Sequence, residues 1–328
     1  MSGMPSVPVL VFVFLSGAFF PLWAVPKPAA SSDLVFRSST RPEAELTFNQ
    51  RFIFPVLQGT GPLTLDNNVE TIFSATITPI SLKGGFEAVF TPAAFFTLSA
   101  GTTLGSGWNI TISGRRLYGL AFNIPEDSRE AAFSGGSRKS VIRGSPFDGL
   151  VWKVHGGSSL QFDTAALWPG AWRHIVFRAY NEVNYKAYTR AGSGETWVYE
   201  VNEDENRNGW NYYGQFFIGY RMPFFLNLAG IQIEVNRFLH NTPDGGLWGD
   251  KLGRWIFSGA FNCAVTPRFD ALFAVQLRTM RNYLDGDRNN GAHYFYQYRE
   301  LNRSSPLRLE FYRVALILSY RIKERDRL

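Results

Sequence analysis

Histidine is the side chain that titrates nearest neutral pH, and the chain has four: His155, His174, His240 and His293. His155 precedes Ser158 and Ser159 closely enough to suggest a base beside a nucleophile. A serine hydrolase also needs an orienting group and an oxyanion site, and no motif supplies either. We therefore predict no catalytic residue, and a barrel hydrolase stays only as the weakest alternative.

Metal and cofactor chemistry has little support in the sequence. The segment Asn202–Asn208 is acidic, but it lacks the ligand spacing of a calcium-binding loop. Cys263 is the single cysteine, which leaves no disulfide and no cysteine-based metal site. Gly101–Gly107 lacks the Lys-Ser/Thr pair that a phosphate-binding loop needs. We predict no metal and no cofactor.

Charged side chains that occur singly carry the clearest hint of function. The formal charge is +6, yet the basic residues form no cluster, so we predict no nucleic-acid partner. Several charges fall on the polar side of alternating segments and would line the interior of a barrel: Arg51, Asp163, Arg178, Arg221, Glu234, Asp270, Arg278, Arg313 and Arg321. A lumen with this mixed lining, leaning towards arginine, would favour small anionic solutes.

The elements that would position these charges are long alternating strands. The chain is 45% hydrophobic and 16% aromatic but only 18% charged. In Ala44–Phe54 the even positions are mainly oily and the odd ones polar, and Trp255–Val265 and Phe269–Leu277 repeat the pattern. Strands of soluble sandwiches average about five to six residues, whereas strands of outer-membrane barrels need about 9–11. The sequence therefore predicts an all-β fold, an antiparallel transmembrane β-barrel.

Two kinds of connection alternate along the chain, as short periplasmic turns and long external loops do in such barrels. Tight turns that contain proline are expected at 91–94, 168–171, 222–225 and 266–269, and external loops at 55–68, 106–146, 190–209, 239–253 and 284–306. This arrangement predicts ten strands: 43–54, 69–90, 94–105, 147–167, 172–189, 210–222, 225–238, 253–265, 269–284 and 307–322. Twelve strands is the alternative, because Pro79, Gly84-Gly85 and Gly156-Gly157 each fit a turn as well as a kink inside a strand.

The apolar run Val7–Val25 predicts a cleavable secretory signal peptide, although no Lys or Arg precedes it. An uncleaved membrane anchor is the alternative, but Pro8 and Pro21 interrupt the run, which barely reaches the roughly 20 residues of a spanning helix. We assign the chain to a signal peptide, a periplasmic segment, the barrel and a charged tail, at 1–24, 25–42, 43–322 and 323–328.

Two stretches, Ala88–Trp108 (AVFTPAAFFTLSAGTTLGSGW) and Asn208–Phe225 (NGWNYYGQFFIGYRMPFF), resemble poorly characterised outer-membrane barrel proteins of spirochaetes. Arg308–Ile322, with Tyr312 and Val314 on one face, resembles the C-terminal assembly signal of such barrels, except that six further residues follow it. The resemblance implies an outer-membrane location, contact with outer-membrane lipid and assembly by the barrel-assembly machinery. It implies no particular activity.

Two functions fit this reading of the sequence. The first is a small channel or solute-uptake protein. The second is an occluded barrel with a structural or surface-binding role, because side chains can fill the interior of a narrow barrel. Aromatic residues of the external loops would then contact external ligands: Trp197, Trp210, Trp248 and Tyr283. The sequence leaves the solute or ligand open.

Overall fold

The computed structural model describes residues 29–41, 43–112, 115–123, 142–143, 146–192, 196–200, 206–240, 249, 251–284 and 301–323. No helix in these ranges is long and apolar enough to cross a membrane. Twelve of the described strands close into one antiparallel barrel. They are β1 (Ala29–Ser39), β2 (Glu43–Pro55), β3 (Asn68–Ile77), β4 (Ser81–Ala93), β5 (Phe96–Gly107), β10 (Val151–Asp163), β11 (His174–Tyr188), β14 (Gly209–Arg221), β15 (Leu226–Phe238), β16 (Arg254–Thr266), β17 (Phe269–Arg281) and β18 (Leu307–Lys323).

The barrel closes between its first and last strands. β1 pairs with β2 on one side and with β18 on the other, so that Phe36 lies opposite both Leu46 and Leu318. Closure satisfies the backbone hydrogen bonds of every barrel strand and leaves no open edge, as a membrane-spanning sheet requires. The predicted fold class is confirmed, with twelve strands rather than ten.

One of the two additional strands is β1, within the segment 25–42 that the sequence predicts to be periplasmic. That prediction is wrong for residues 29–39, and the barrel runs from 29 to 323 rather than from 43 to 322. The alternation of β1 is hard to see because small residues such as Ala30 and Ser32 stand at outward positions beside Leu34 and Phe36. Its pairing with two neighbouring strands, rather than its own hydrophobicity, makes it a strand.

The other additional strand arises where the predicted strand 69–90 breaks in two. A tight turn at 78–80 separates β3 from β4, and the Thr78 amide donates to the Ser81 carbonyl oxygen over 2.9 Å. Pro79 therefore marks a turn, as proline in a strand-like run often does. Gly84-Gly85 and Gly156-Gly157 lie inside β4 and β10. A Cβ atom at Gly157 would come within 2.7 Å of the Tyr180 hydroxyl, so glycine makes room for that ring.

The two ends of the barrel differ in their connections. At one, the turn end, β4 joins β5, β10 joins β11, β14 joins β15 and β16 joins β17 through short links, and Ala29 and Lys323 lie there too. At the other, the loop end, the connections 108–150, 189–208, 239–253 and 282–306 are long, and 40–42 and 78–80 are tight turns. The connection 56–67, predicted to be external, lies at the turn end, because β1 adds one crossing before it and the turn at 78–80 adds one crossing after it.

The outer surface of the barrel is apolar. Every second side chain along each strand points outward. Many of these outward side chains are large and exposed: Phe48, Phe73, Leu98, Leu160, Phe177, Ile218, Ile231, Phe261, Phe273 and Leu316. Ile231, halfway along β15, is 59% exposed. An apolar surface that runs round the whole molecule is far larger than a soluble monomer exposes.

Aromatic residues form a girdle at each end of this apolar surface. At the turn end Trp172 lies 5.9 Å from Phe224, measured between ring centroids, and both are exposed. Towards the loop end Tyr185 contacts Trp152 and Trp210, with centroid distances of 5.3 and 5.4 Å. From Trp172 to Tyr185 a tilted strand spans roughly 30 Å, which matches the thickness of a bilayer core. Amphipathic rings favour the boundary between lipid and water.

The long connections carry further strands over the loop end. They are β6 (Asn109–Ile112), β7 (Arg115–Tyr118), β8 (Leu120–Asn123), β9 (Ile142–Arg143), β12 (Thr196–Tyr199) and β13 (Asn206–Arg207). β6 and β7 pair with each other, and the others form a sheet in the order β13-β12-β8-β9. Side chains of this sheet pack on the top of the barrel wall in a buried cluster: Leu120, Val151, Tyr188, Trp197 and Tyr199.

Candidate functional site: the barrel lumen

The inward faces of the strands carry charged and polar side chains that pair across neighbouring strands. Towards the turn end, Arg51 of β2 lies 3.0 Å from an Asp33 carboxylate oxygen and 3.1 Å from one of Glu70. These three residues come from three adjacent strands, β1, β2 and β3. One guanidinium therefore crosslinks three strands by bonds to two carboxylates, which is the geometry that arginine suits best.

Other pairs lie close to the turn end itself. Asp163 ends β10 and its carboxylate contacts His174 Nδ1 at 2.9 Å and Arg221 Nη1 at 3.6 Å. Arg321 of β18 lies 3.4 Å from Asp270 of β17. The Arg221 and Arg321 side chains are each more than half exposed, so water screens these pairs and they contribute little to stability. They leave a wet, charged rim at this opening.

Two carboxylates in the middle of the lumen anchor hydrogen-bond networks. Glu182 of β11 accepts from Tyr180 (2.8 Å) and Asn184 (2.9 Å) and lies 3.0 Å from Lys153 Nζ. Glu234 of β15 accepts from the Tyr213 hydroxyl at 2.9 Å. These donors satisfy the hydrogen-bonding capacity of both carboxylates, as buried polar groups require.

Arginines cluster round one tyrosine on the opposite wall. The guanidinium carbons of Arg41, Arg278 and Arg313 lie 4.8, 4.6 and 4.7 Å from the centroid of the Tyr312 ring. Arg278 also binds the Glu310 carboxylate at 2.8 Å. Cations over an aromatic face are attracted by its quadrupole, so the ring holds the guanidiniums at fixed positions on the wall.

The networks of Glu182, Glu234 and Tyr312 border a cavity of about 470 Å³ in the half of the barrel nearer the loop end. Among the described residues, its charged lining consists of Lys83, Lys153, Lys186, Arg254, Arg278, Glu182 and Glu234. Five of these side chains are cationic and two are acidic, so the lining has a formal excess of three positive charges. Amide and hydroxyl groups fill much of the remainder, including Asn184, Asn211, Asn236 and Tyr213. A cavity of this size and polarity suits a small, hydrated anion.

A segment from a long connection narrows the loop-end mouth of this cavity. Tyr199 of β12 lines the cavity, and its hydroxyl donates to the Leu82 carbonyl oxygen over 3.4 Å. The next residue, Glu200, brings its carboxylate to 3.0 Å from Lys83 Nζ, and Ser81 Oγ donates to it over 2.6 Å. Segment Trp197–Glu200 is therefore attached to the inner wall of β4.

The structure places all nine predicted lumen residues on the inward sides of their strands, but it does not bring them to one site. Glu234 and Arg278 line the cavity directly, and Arg313 lies beside Tyr312. Arg51, Asp163, Arg221, Asp270 and Arg321 lie nearer the turn end, away from the cavity. Arg178 donates to Ser159 on the neighbouring strand over 3.3 Å.

Several cavity residues were missed by the sequence reading, above all Lys83, Lys153, Lys186, Arg254 and Glu182. Lys153 and Lys186 do alternate with apolar neighbours in β10 and β11, and that signal could have found them. Lys83 lies within the predicted strand 69–90, but the adjacent Gly84-Gly85 interrupts the alternation that would have assigned it to the inward face. Glu200 follows β12 directly, and nothing in its local sequence indicates that it reaches β4.

The aromatic residues predicted to contact external ligands do not form one exposed surface. Trp197 and Tyr283 are 1% and 5% exposed, so they are packing residues and the prediction is wrong for both. Trp197 is covered because it packs against Tyr188 and donates its indole N–H to Asn208. Trp210 is exposed, but it belongs to the aromatic girdle of β14. Trp248 lies outside the described residues.

The candidate hydrolase residues do not assemble. His155 and Ser159 face inward four residues apart along β10, about 13 Å at the rise of a strand, and Ser158 faces outward. His155 lies instead 3.6 Å from Glu87, and its Nδ1 atom has no hydrogen-bond partner in the part of the chain that the structure describes. Within the described ranges, no group of three or more His, Cys, Asp and Glu side chains is placed to hold a metal ion.

No family model matches the chain, and no curated protein matches it. Solved structures do match over most of its length. They include the NanC porin (9% identity, 89% of this chain and 98% of that one, TM-score 0.37), the KdgM porin (8%, 88% and 98%, 0.34) and an outer membrane channel from Pseudomonas putida F1 (11%, 91% and 97%, 0.41). At these TM-scores the likeness does not bear on the solute, so the class rests on the geometry described above.

The closed barrel, its apolar outer surface and its two aromatic girdles define an integral outer-membrane β-barrel. In the usual arrangement of such barrels the end with long loops is external and the end with short turns is periplasmic. The lumen is polar, as in porins, and narrow.

Proposed function

We propose that this barrel is a small passive channel through which hydrophilic solutes, preferentially anionic ones, cross the outer membrane. The observation that carries the proposal is the cavity of about 470 Å³, whose described charged lining has five cations against two acids. Lys186 and Arg254 stand on β11 and β16, so the positive charge lies on more than one wall. A solute that crosses the lumen therefore passes cations on several sides, which lowers the energy of an anion more than that of a cation.

The size of the cavity limits the solute. The channel is expected to admit ions, small sugars and small organic acids, and to exclude large oligomers, because Trp197–Glu200 narrows the loop-end mouth. Hydroxyl and amide groups on the wall would replace part of the water shell of such a solute. The lumen residues Glu234, Arg278 and Arg313 are proposed as solute contacts or as supports of solute contacts.

Planar-bilayer recording of the refolded protein tests this function. In a salt gradient of potassium chloride the reversal potential should show that chloride permeates more readily than potassium. A protein that folds, as judged by its shifted mobility on an unboiled detergent gel, but conducts no ions would contradict the channel. A conducting protein that prefers potassium would contradict only the preference for anions.

An occluded barrel with a structural or surface-binding role is the second candidate. The buried cluster of Leu120, Tyr188, Trp197 and Tyr199 favours it, because these side chains fill part of the loop-end mouth. In that case the wild-type protein would be silent in bilayers. Binding to host surfaces or external ligands would then depend on the long loops.

We also propose that the chain is exported by a cleaved signal peptide and inserted by the barrel-assembly machinery. The run Val7–Val25 supports a cleaved signal peptide, and the alternating C-terminal strand β18 supports recognition by the barrel-assembly machinery. The resemblance of Ala88–Trp108 and Asn208–Phe225 to spirochaete barrels supports the outer-membrane destination. Mass spectrometry of the mature N-terminus tests the cleavage, and a mature chain that still contains residues 7–25 would contradict it.

A further inference from the structure

A carboxylate is already bound inside the mouth of the lumen, and it belongs to the chain itself. The Glu200 carboxylate accepts from Ser81 Oγ over 2.6 Å and lies 3.0 and 3.2 Å from Lys83 Nζ through its two oxygens. Ser81 is completely buried, and its Oγ also lies 2.8 Å from Thr78 Oγ1. A hydroxyl and an ammonium that converge on one carboxylate at these distances make a charge-assisted binding site.

Glu200 reaches this site through an unusual backbone. Its φ angle is +62°, a left-handed conformation that side chains other than glycine rarely adopt, and its amide donates to the Gly119 carbonyl oxygen over 2.8 Å. Such a conformation persists only where the surroundings hold it, and it is often found at functional positions. The bond from Glu200 to Ser81 and Lys83 is one of the contacts that hold it.

The residues before Glu200 fix the segment on the wall. Trp197 and Tyr199 are almost fully buried, and a Cβ atom at Gly105 would lie only 2.2 Å from the Tyr199 hydroxyl. Gly105 faces the lumen, so glycine is needed there to admit the ring. The segment therefore lies against the inner face of the barrel, where Lys83 and Tyr199 line the same cavity.

Among the described residues, Lys83 has a second acidic neighbour besides Glu200. Glu45 of β2 lies 3.4 Å from Lys83 Nζ, and Glu45 is itself paired with Arg37. With Glu200 in place, Lys83 therefore contacts at least two carboxylates. If Glu200 leaves, Glu45 is still neutralised in part by Arg37, and the ammonium of Lys83 can accept another anion.

We propose that Ser81 and Lys83 form a carboxylate-binding site on the solute path, and that Glu200 is a tethered competitor for it. The proposal rests on the channel function above and names the chemistry of its solute, a small organic acid. A carboxylate that the chain holds beside its own binding site competes with free solute at a fixed effective concentration, which the solute must exceed to displace it. A solute carboxylate must therefore displace Glu200, which limits occupation of the mouth at low solute concentration.

Current block by gluconate, with glucose as the uncharged comparison, tests the proposal in bilayers that contain the whole protein. Glu200→Gln keeps the shape of the side chain but removes its charge. The gluconate concentration that halves the current should fall about three- to tenfold in this variant, and the glucose concentration should not change. Lys83→Gln should weaken gluconate block. In the Lys83→Gln background, adding Glu200→Gln should have no further effect, because the two act on one site.

Asp148→Asn is the matched control. Asp148 also lies at the loop end and pairs with an exposed arginine, Arg190, at 3.3 Å, but it does not line the cavity. The same loss of one negative charge there should leave gluconate block unchanged. An equal increase of block in Asp148→Asn and Glu200→Gln would show a general charge effect and overturn the site.

The outcomes separate this inference from the channel function. A conducting wild type with the same gluconate block in Glu200→Gln overturns the Ser81–Lys83 site and leaves the channel standing. A silent wild type together with a silent Glu200→Gln variant overturns both. If Glu200→Gln does not refold, Ser81→Ala replaces it and should weaken gluconate block without changing glucose block, and an unchanged block would overturn the site.

Discussion

The guanidinium carbon of Arg278 lies 4.6 Å from the ring centroid of Tyr312, one strand away on the lumen wall. Tyr312 faces the lumen because of a β-bulge: Gln276 pairs with Arg313 and Leu277 pairs with Phe311, so Tyr312 is the extra residue between them. Strict alternation predicts Tyr312 on the same outward face as Val314. The bulge turns the Tyr312 side chain towards the lumen instead, where its ring forms an aromatic platform for Arg41, Arg278 and Arg313.

Removing this platform should destabilise the barrel. Tyr312→Ala deletes a ring that is 6% exposed and leaves three guanidiniums without their aromatic face, so we expect a loss of about 2–4 kcal/mol. Urea unfolding in lipid vesicles measures it. Tyr312→Phe keeps the ring and should lose less than about 1 kcal/mol, because only the hydroxyl changes. Equal losses in the two variants would contradict the role of the ring.

The two faces of β15 should respond oppositely to the same substitution. Ile231→Arg puts a charge near the middle of the outer surface and should cost about 2–4 kcal/mol, because lipid cannot solvate it. Gln232→Arg puts the same charge one residue further along, in the lumen beside Glu234, and should be tolerated. Unfolding in vesicles measures both. If both substitutions are tolerated alike, the outer face of β15 does not contact lipid.

Anion preference should depend on the cations of the cavity. Arg254→Gln removes one of the five cations in the described lining, and the ratio of chloride to potassium permeability should fall about twofold, because the field of the lining weakens. The reversal potential in a salt gradient reports the ratio. Arg190→Gln, at an exposed position outside the cavity, should leave it unchanged. An unchanged ratio in Arg254→Gln would remove Arg254 from the permeation path.

A substitution without any change of charge should also release the segment at the mouth. Gly105→Ala introduces a Cβ atom 2.2 Å from the Tyr199 hydroxyl and 2.9 Å from both the Leu82 carbonyl oxygen and Lys83 Cγ, so that Tyr199, which has the shortest contact, must move and Glu200 with it. Single-channel conductance should rise relative to wild type. Gly84→Ala is the control on the neighbouring strand, since a Cβ atom there meets nothing within 4 Å. A conductance that is identical in all three proteins would mean that Tyr199 does not restrict the mouth.

Period-two patterns predicted the faces of single strands well. Trp255, Phe257 and Phe261 do face outward on β16, and Asn262 does face inward. The pattern did not predict strands with few large residues, such as β1. It also did not predict the tight turn at 78–80, because proline in a strand-like run indicates either a turn or a kink until neighbouring strands are known.

The sequence by itself determined that the chain forms long strands with one apolar face, because side chains alternate strictly along a strand and this pattern is local. Only the tertiary structure decided which strands meet. Ser81 and Glu200 are 119 residues apart in sequence, and Arg313 and Glu43 are 270 residues apart. In the folded barrel, the side chains of each pair are hydrogen-bonded to each other on the inner side of the wall. The closure of the barrel, the bulge at Tyr312 and the carboxylate on Lys83 depend on register between distant strands. No local pattern encodes that register, because many registers satisfy the same alternation.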